Sequence, residues 1–353
     1  MKFGIMTQIQ IPRPWQPTSE RQAYWNALDQ GVAAEAAGIE YFWMTEQHFL
    51  AEIGHAAASD MFLAALSQRT TTLRLGLGVV LLPLHNPFYV AERVATLDVL
   101  SNGRVEFGTG RGTTPYIVEG LGFDPANGRE VGKESLEAIM RMYDHERFAG
   151  YKGKHFDLPP RDVIPRPVQA PHPPLWVAAT NLETYEHAGR QGFGVIGVTR
   201  NSIEDTKGAV DRYHRAAQAA TPAERIARVP NHQTAVFGIG CVDEDDQVGR
   251  DIGCAAARWY YGDNDAVLNP LRFSTAGGVA AVRDRISKFS NEQLVDNGMA
   301  IAGNPDTVCR IVEKWQSTGI DQMIFFLQAG NTSHEQVMKS IRLIGEKVIP
   351  RFQ

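Results

Sequence analysis

The chain has 353 residues, 43% hydrophobic and 21% charged, enough apolar material for a full core in one large α/β barrel or two ordinary domains. Its formal net charge of −5 gives no electrostatic reason to expect nucleic acid or an anionic membrane surface as partner, and no stretch approaches the roughly 18 uncharged apolar residues of a membrane span. Three widely spaced cysteines, Cys241, Cys254 and Cys309, without a CxxC pair, argue for neither a disulfide framework nor a structural zinc site and suit a reducing cytoplasm.

The opening Met1–Met6 reads as a strand, too short in apolar run for a signal peptide, and a Pro-rich turn at Ile11-Pro12-Arg13-Pro14 follows it. Further short apolar runs are expected to be strands at Tyr41 to Thr45, Leu75 to Leu81, Arg104 to Thr109, Leu175 to Ala178, Gly194 to Val198, Thr234 to Cys241 and Gln322 to Leu327. Amphipathic stretches lie between them. Arg21 to Ala37 ends at Gly38, Phe88 to Leu100 at Asn102-Gly103, and Ser333 to Ile344 at Gly345, each glycine reading as a helix stop. Eight alternating βα units predict a closed (β/α)8 TIM barrel occupying residues 1–353 as one domain. The runner-up is an open doubly wound sheet, but the dinucleotide fingerprint it needs after the first strand is missing, since that stretch reads Thr7-Gln8-Ile9-Gln10. Two segments break the rhythm and read as insertions. Residues 150–174 suggest a small hairpin and a proline-rich connector, and 262–303, around Ser274-Thr275-Ala276-Gly277-Gly278, suggest a lid or an ordered insertion.

In such a barrel, polar residues just after a strand gather at the functional end. Glu46-Gln47-His48-Phe49 follows the second strand and puts an acid beside an imidazole; the carboxylate either tunes the histidine or pairs with a basic residue on a neighbouring strand. His85 and Asn86, between Pro83 and Pro87, can cap the next helix. The fourth strand runs into Gly108-Thr109-Gly110-Arg111-Gly112, where small residues and a guanidinium fork suit a phosphate. Arg129 at a helix start opposes the macrodipole unless an anion sits there, or else it is a solvated surface arginine. After the fifth strand, Thr180 or Asn181 caps a helix whose first amides can also cup an anion. Loops after the fourth and fifth strands are barrel neighbours, so together they describe one phosphate site. HExxH, Gly-x-Ser-x-Gly and EF-hand patterns are absent from the sequence, which leaves no sequence support for a metalloprotease, a serine hydrolase or a calcium module.

The Lys2-Phe3-Gly4 opening, the Glu46-Gln47-His48-Phe49 box, Leu81-Leu82-Pro83 with Pro87, the Gly103-Arg104 to Gly112 box, Arg129, the Ala179 to Thr184 loop and Thr318-Gly319-Ile320 occur in one order along the chain. In that order the chain resembles the bacterial luciferase-like family of flavin-dependent monooxygenases over nearly its full length. The resemblance implies the family's (β/α)8 barrel and a small organic substrate oxidised by O2 through a flavin hydroperoxide. Reduced FMN would come from a separate NAD(P)H-dependent flavin reductase, and the protein would be a homodimer in the cytoplasm. By motif position, Arg111, Arg129, Asn181 and Thr184 would hold the FMN phosphate, with Gly110, Ala179 and Thr180 close by. Gly78-Val79 falls where family members often carry a non-prolyl cis peptide beneath the isoalloxazine.

Two positions depart from the pattern. Gly110 stands where luciferase itself has a reactive cysteine. Gln47 stands where luciferase and many relatives have a histidine, and glutamine hydrogen-bonds without taking up a proton. His48 and Glu46 are then the remaining titratable members of the catalytic box. Alternatives are a deazaflavin-dependent hydride-transfer enzyme of the same superfamily and a flavin-binding protein without turnover. Trp15, Phe49, Tyr116 and Trp259 are candidates to line an apolar substrate pocket or to pack as core or lid residues.

Overall fold

The computed structural model describes residues 1–263 except Thr113 and His145, together with Asp284 and residues 286–353. Its strands are β1 (Lys2–Thr7), β2 (Tyr41–Met44), β3 (Arg74–Leu81), β4 (Val105–Gly110), β5 (Tyr151–Lys152) and β6 (Asp157–Leu158). They continue with β7 (Leu175–Ala178), β8 (Gly194–Val198), β9 (Thr234–Val242), β10 (Ala300–Gly303) and β11 (Gln322–Phe326). Runs such as Tyr41-Phe42-Trp43-Met44 and Gly194-Val195-Ile196-Gly197-Val198 are buried along their whole length, as expected of parallel strands covered on both faces. Eight of them pair in parallel in the order β1, β2, β3, β4, β7, β8, β9, β11, and β11 closes the ring on β1 with Lys2 opposite Gln322. The expected (β/α)8 barrel is therefore the observed fold, with each of its eight strands where the apolar runs put it.

Two strand features lie outside the eight. β10 pairs in parallel with the far end of β9, Ala300 opposite Ile239, as a ninth strand on the outside of the ring. Its four residues, Ala300-Ile301-Ala302-Gly303, are too short and too small to read as a strand beforehand. β5 and β6 form the small antiparallel hairpin expected within 150–174. Of the 262–303 reading, residues 264–283 and 285, with the Ser274 to Gly278 run, lie outside the described residues; the described part holds the helix Asn291–Asp296 and β10.

The barrel interior is filled rather than open. Met6, Tyr41, Trp43, Trp176, Ile196, Ala235 and Ile324 form one inner cluster, with Trp43 and Trp176 edge to face at 5.2 Å between ring centroids. At the N-terminal end, Lys2 Nζ donates to Tyr41 Oη at 3.0 Å and to Gln233 Oε1 at 2.8 Å. The buried Glu106 pairs with Arg74 and accepts from Trp176 Nε1. Polar closure at the bottom and aromatic filling above it leave the C-terminal ends of the strands as the place for a site. Among the described residues, no helix is long and apolar enough to cross a membrane, and Cys241, Cys254 and Cys309 are all free and buried.

Outer helices follow the expected spans, Ser19–Ala36 and Pro87–Leu100 among them. Gly345 is a correction. It does not stop the last helix, because His334–Leu343 runs on into a π turn at Ile344–Val348. The glycine is there for close approach: a Cβ at 345 would lie 2.5 Å from the carbonyl oxygen of Ala37 and 2.8 Å from its Cβ. Gly208, in the helix Ile203–Ala219, has nothing within 4 Å of such a Cβ. Gly345→Val should therefore destabilise the fold by about 1–3 kcal/mol in urea unfolding. Gly208→Ala should stabilise it by about 0.5–1 kcal/mol through helix propensity.

Candidate active site

β2 ends at Met44, and the chain then turns across the mouth with Thr45 and Glu46 buried. The Glu46 carboxylate is the junction of this side of the mouth. Its Oε1 accepts from His48 Nε2 at 2.9 Å and from His85 Nε2 at 2.7 Å, and its Oε2 accepts from the Leu81 amide at 3.0 Å. Burial acts to raise the Glu46 carboxyl, but the hydrogen bonds from His48 and His85, the attraction of His85 and the Leu81 amide outweigh it and pull the group down to about 2. His48 and His85 keep partial exposure, 17% and 23% of their side chains.

The same carboxylate clamps the end of β3. Three residues before Leu81, the Gly78–Val79 peptide is cis, as the resemblance implies. The pairing of β3 with β4 shifts register between Leu77 and Val80, so Val79 turns towards β4. A Cβ placed at Gly110 would lie 2.4 Å from Val79 Cγ2, which accounts for glycine at that position.

On the other side of the mouth, the ends of β4 and β7 open into a cleft holding about 970 Å³ of space, part of it open to solvent. Its polar lining is Arg111, Arg129, Lys133, Glu183, Thr184 and His187, with Leu82, Thr109 and Gly110 beside them. Arg129 and Lys133 lie one turn apart on the helix Gly128–Asp144, and Thr184 and His187 three apart on the helix Leu182–Gln191, so each pair projects from one helix face. Among the described residues, neither Arg111 nor Arg129 makes an ion pair. Burial, and then the like charge of Arg129, push the Arg111 guanidinium down. Loss of hydration, then Arg129 and Lys133, push the His187 imidazole down. Cations that repel one another around a cleft fit a polyanion between them.

The structure brings Gly110, Arg111, Arg129 and Thr184 to this cleft. Asn181 is the N-cap of the helix that carries Thr184. Its Oδ1 accepts from both the amide and the hydroxyl of Thr184 at 3.0 Å, while Leu182 and Glu183 occupy the first turn, where amides have no partner within the helix. Thr180 and Asn181 line a neighbouring groove, and Ala179 is buried. Gln47 lies between Glu46 and His48 in the chain; its backbone N–H donates to the Ala56 carbonyl at 3.0 Å, and its side-chain amide has no hydrogen-bond partner among the described residues.

Sequence reasoning missed three residues here. Asn86 alone caps the helix at Pro87, accepting from Phe88 N at 2.9 Å, while His85 turns back to Glu46. Lys133 and His187 sit at helical spacing from Arg129 and Thr184, and that periodicity was the signal available. Of the apolar candidates, Trp15 carries Arg13 over its ring at 4.2 Å, and Phe49 and Tyr116 are exposed. Trp259 packs with Leu50, Ile53, Leu81 and Ile117. A buried network that the sequence did not suggest adds Gln8 Nε2 donating to Tyr260 Oη at 3.1 Å and Gln328 Nε2 donating to the Gln10 carbonyl at 2.9 Å. No group of three or more possible metal ligands occurs among the described residues.

A closed parallel barrel with a carboxylate–imidazole cluster and a cationic cleft side by side at the C-terminal mouth puts its polar groups where barrel enzymes carry their sites. Comparison with known proteins narrows the class. The model of the family described as luciferase-like monooxygenase matches residues 1–322. The 4-hydroxyprotoasukamycin monooxygenase of Streptomyces nodosus subsp. asukaensis is 29% identical over 93% of this chain and 86% of its own. The oxygenase component of the flavin-dependent trigonelline monooxygenase of Acinetobacter baylyi is 24% identical over 100% and 96%. Among solved structures, monooxygenase RslO1 from Streptomyces bottropensis superposes with a TM-score of 0.82 at 26% identity over 100% of both chains. The fold alone is shared with the oxygenating constituent of 3,6-diketocamphane monooxygenase of Pseudomonas putida in complex with FMN, at TM-score 0.81, 19% identity and coverage of 99% and 98%. It is likewise shared with an F420-dependent secondary alcohol dehydrogenase, at TM-score 0.76, 18% identity and coverage of 100% and 99%. The chain belongs to the luciferase-like monooxygenase family and is an enzyme of the monooxygenase class.

Because the Glu46 carboxyl lies at about 2 in the folded protein against an ordinary 4.5, its pairing contributes stability that is complete above pH 4.5 and is lost as the pH falls through about 2. That contribution is of order 3 kcal/mol. Urea unfolding from pH 6 down to pH 2 should show this loss in the wild type. Glu46→Gln should be less stable at neutral pH and show a correspondingly flatter acid limb.

Proposed function

We propose that the protein is the oxygenase component of a two-component, FMN-dependent monooxygenase acting on a small organic substrate. A separate NAD(P)H:flavin reductase would supply the reduced FMN. The observation that carries this reading is the two guanidiniums, Arg111 and Arg129, that make no ion pair among the described residues and face one cleft at the barrel mouth. Their planar donor forks, with Lys133 beside them and the first-turn amides after Asn181 close by, form a donor set suited to a phosphate monoester rather than to a lone carboxylate. Gly110, Ala179 and Thr180 shape the backbone around that group, and Gly78-Val79 forms the shelf on which a flat ring would rest. Reduced FMN, when bound, supplies the electrons that activate O2, one oxygen atom going to the substrate and the other to water.

The chain's own residues do the rest. Arg111, Arg129 and Thr184 bind the phosphate. His48 handles protons next to that cleft with the ionised Glu46 beside it, while Gln47 offers hydrogen bonds without exchanging a proton. The relatives that support this reading at the sequence level are named as monooxygenases, one of them as the oxygenase component of a flavin-dependent system. We take residues 1–353 as one barrel domain and the protein as a cytoplasmic homodimer. The exposed Met61 and Tyr89, on the helices Ser59–Ser67 and Pro87–Leu100, are apolar candidates for the dimer contact.

Anaerobic titration with reduced FMN and with reduced deazaflavin tests the cofactor. Tight binding of FMN, with O2 consumption driven by a generic flavin reductase and matched to product, supports the proposal. Binding of deazaflavin alone would replace it with the hydride-transfer reading, and FMN binding without turnover across a broad substrate panel would favour a flavin carrier. Arg111→Ala should weaken FMN binding by about 1.5–3 kcal/mol, the worth of a charge-assisted hydrogen bond; an unchanged dissociation constant would move the phosphate elsewhere.

A further inference from the structure

His85 has no part in the flavin reading, yet it makes the shorter of the two imidazole bonds to Glu46, at 2.7 Å. The two oxygens of that carboxylate are held differently. Oε2 is fixed by a backbone donor, the Leu81 amide, whereas Oε1 receives two imidazoles, those of His48 and His85. An ionised carboxylate only accepts hydrogen bonds. As long as Oε1 is held in this place, each ring carries its proton on the Nε2 that faces it, and a neutral ring then presents Nδ1 as a free lone pair.

His85 is well placed to hold this arrangement. It follows the short 3-10 turn Leu82–Leu84 and is itself followed by the Asn86 cap and Pro87, so the backbone on both sides is restrained. With Asp60 and Arg93 it also lines a cleft of about 330 Å³, part of it open to solvent; Asp60 and Arg93 pair with each other. Arg93 also feels the Glu46 charge but makes no direct bond to it, so the side-chain donors on Glu46 are the two imidazoles.

We propose that His85 is a positioning residue: by fixing the Glu46 carboxylate it holds His48 in the Nε2–H tautomer and presents the His48 Nδ1 lone pair as the proton acceptor of the site. During turnover, Nδ1 takes a proton from an acidic group of the substrate. The resulting imidazolium is balanced by Glu46, and the proton passes to solvent or product afterwards. The use made of this base rests on the monooxygenase reading above. The tautomer does not.

Long-range 1H–15N correlation spectra of histidine-labelled protein read the tautomers without flavin or substrate. The wild type should show His48 protonated on Nε2 alone. His85→Leu removes the donor and should leave His48 as a mixture of tautomers, with turnover reduced about ten-fold and FMN affinity unchanged. His85→Gln keeps an N–H donor in place of Nε2 and should restore both the tautomer and the turnover. His85→Asn, whose amide stops short of the carboxylate, should behave like the leucine variant and stands in for it if leucine prevents folding. A His48 ring protonated on Nδ1 in the wild type, or a single Nε2–H tautomer and full turnover surviving in the leucine and asparagine variants, would overturn the proposal. Failure of the wild type to bind FMN would remove the flavin reading instead, with the tautomer spectra still deciding the role of His85.

Discussion

Taking an ionised carboxylate out of water costs several kcal/mol unless donors replace its hydration shell, and much of the mouth of this barrel is organised by that requirement at Glu46. Its three donors come from separate places: a backbone amide at the end of β3, a ring two residues along the same loop, and a ring on the turn that leads into the helix Pro87–Leu100. Satisfying one charge therefore fixes the end of β2 against the end of β3 and sets the loop beyond each. The register shift between Leu77 and Val80 and the packing of Val79 over Gly110 carry the same constraint on to β4. The geometry of the cationic cleft begins where that chain of contacts ends.

The two sides of the mouth solve opposite electrostatic problems. At Glu46 the protein supplies the hydrogen-bond donors that replace water around the charge. At Arg111 and Arg129 it assembles positive groups that repel one another, an arrangement that lowers stability in isolation and is offset only when an anion arrives. The first arrangement orients groups for chemistry and the second stores affinity for a ligand. On the proposed function, the cationic cleft would grip the phosphate end of the flavin and the carboxylate–imidazole cluster beside it would face the ring end.

The barrel was legible because its strands are buried on both faces, so each reads as a short continuous apolar run between turn signals. β10 was not, since Ala300-Ile301-Ala302-Gly303 has little hydrophobic bulk and gains its strand character only from pairing with the overhang of β9. Gly345 misled because a glycine at a helix end usually supplies a left-handed cap, whereas here the missing side chain makes room for another helix. At the site, Arg111 announced itself through its glycine neighbours and Glu46 and His48 through their place after a strand. His85 occupied an equivalent place, but Asn86 beside it offered a sufficient explanation for a polar residue there. Which of two adjacent residues caps a helix and which turns inward is a tertiary choice, set by the buried Glu46 carboxylate in the loop after β2.

The contact between Val79 and Gly110 makes these two positions a size couple. The 2.4 Å between Val79 Cγ2 and a Cβ added at 110 leaves room for bulk on one of them and not on both. A side chain at 110 would require Val79 to shift or be trimmed, so the volumes at these two positions are coupled across the β3–β4 seam.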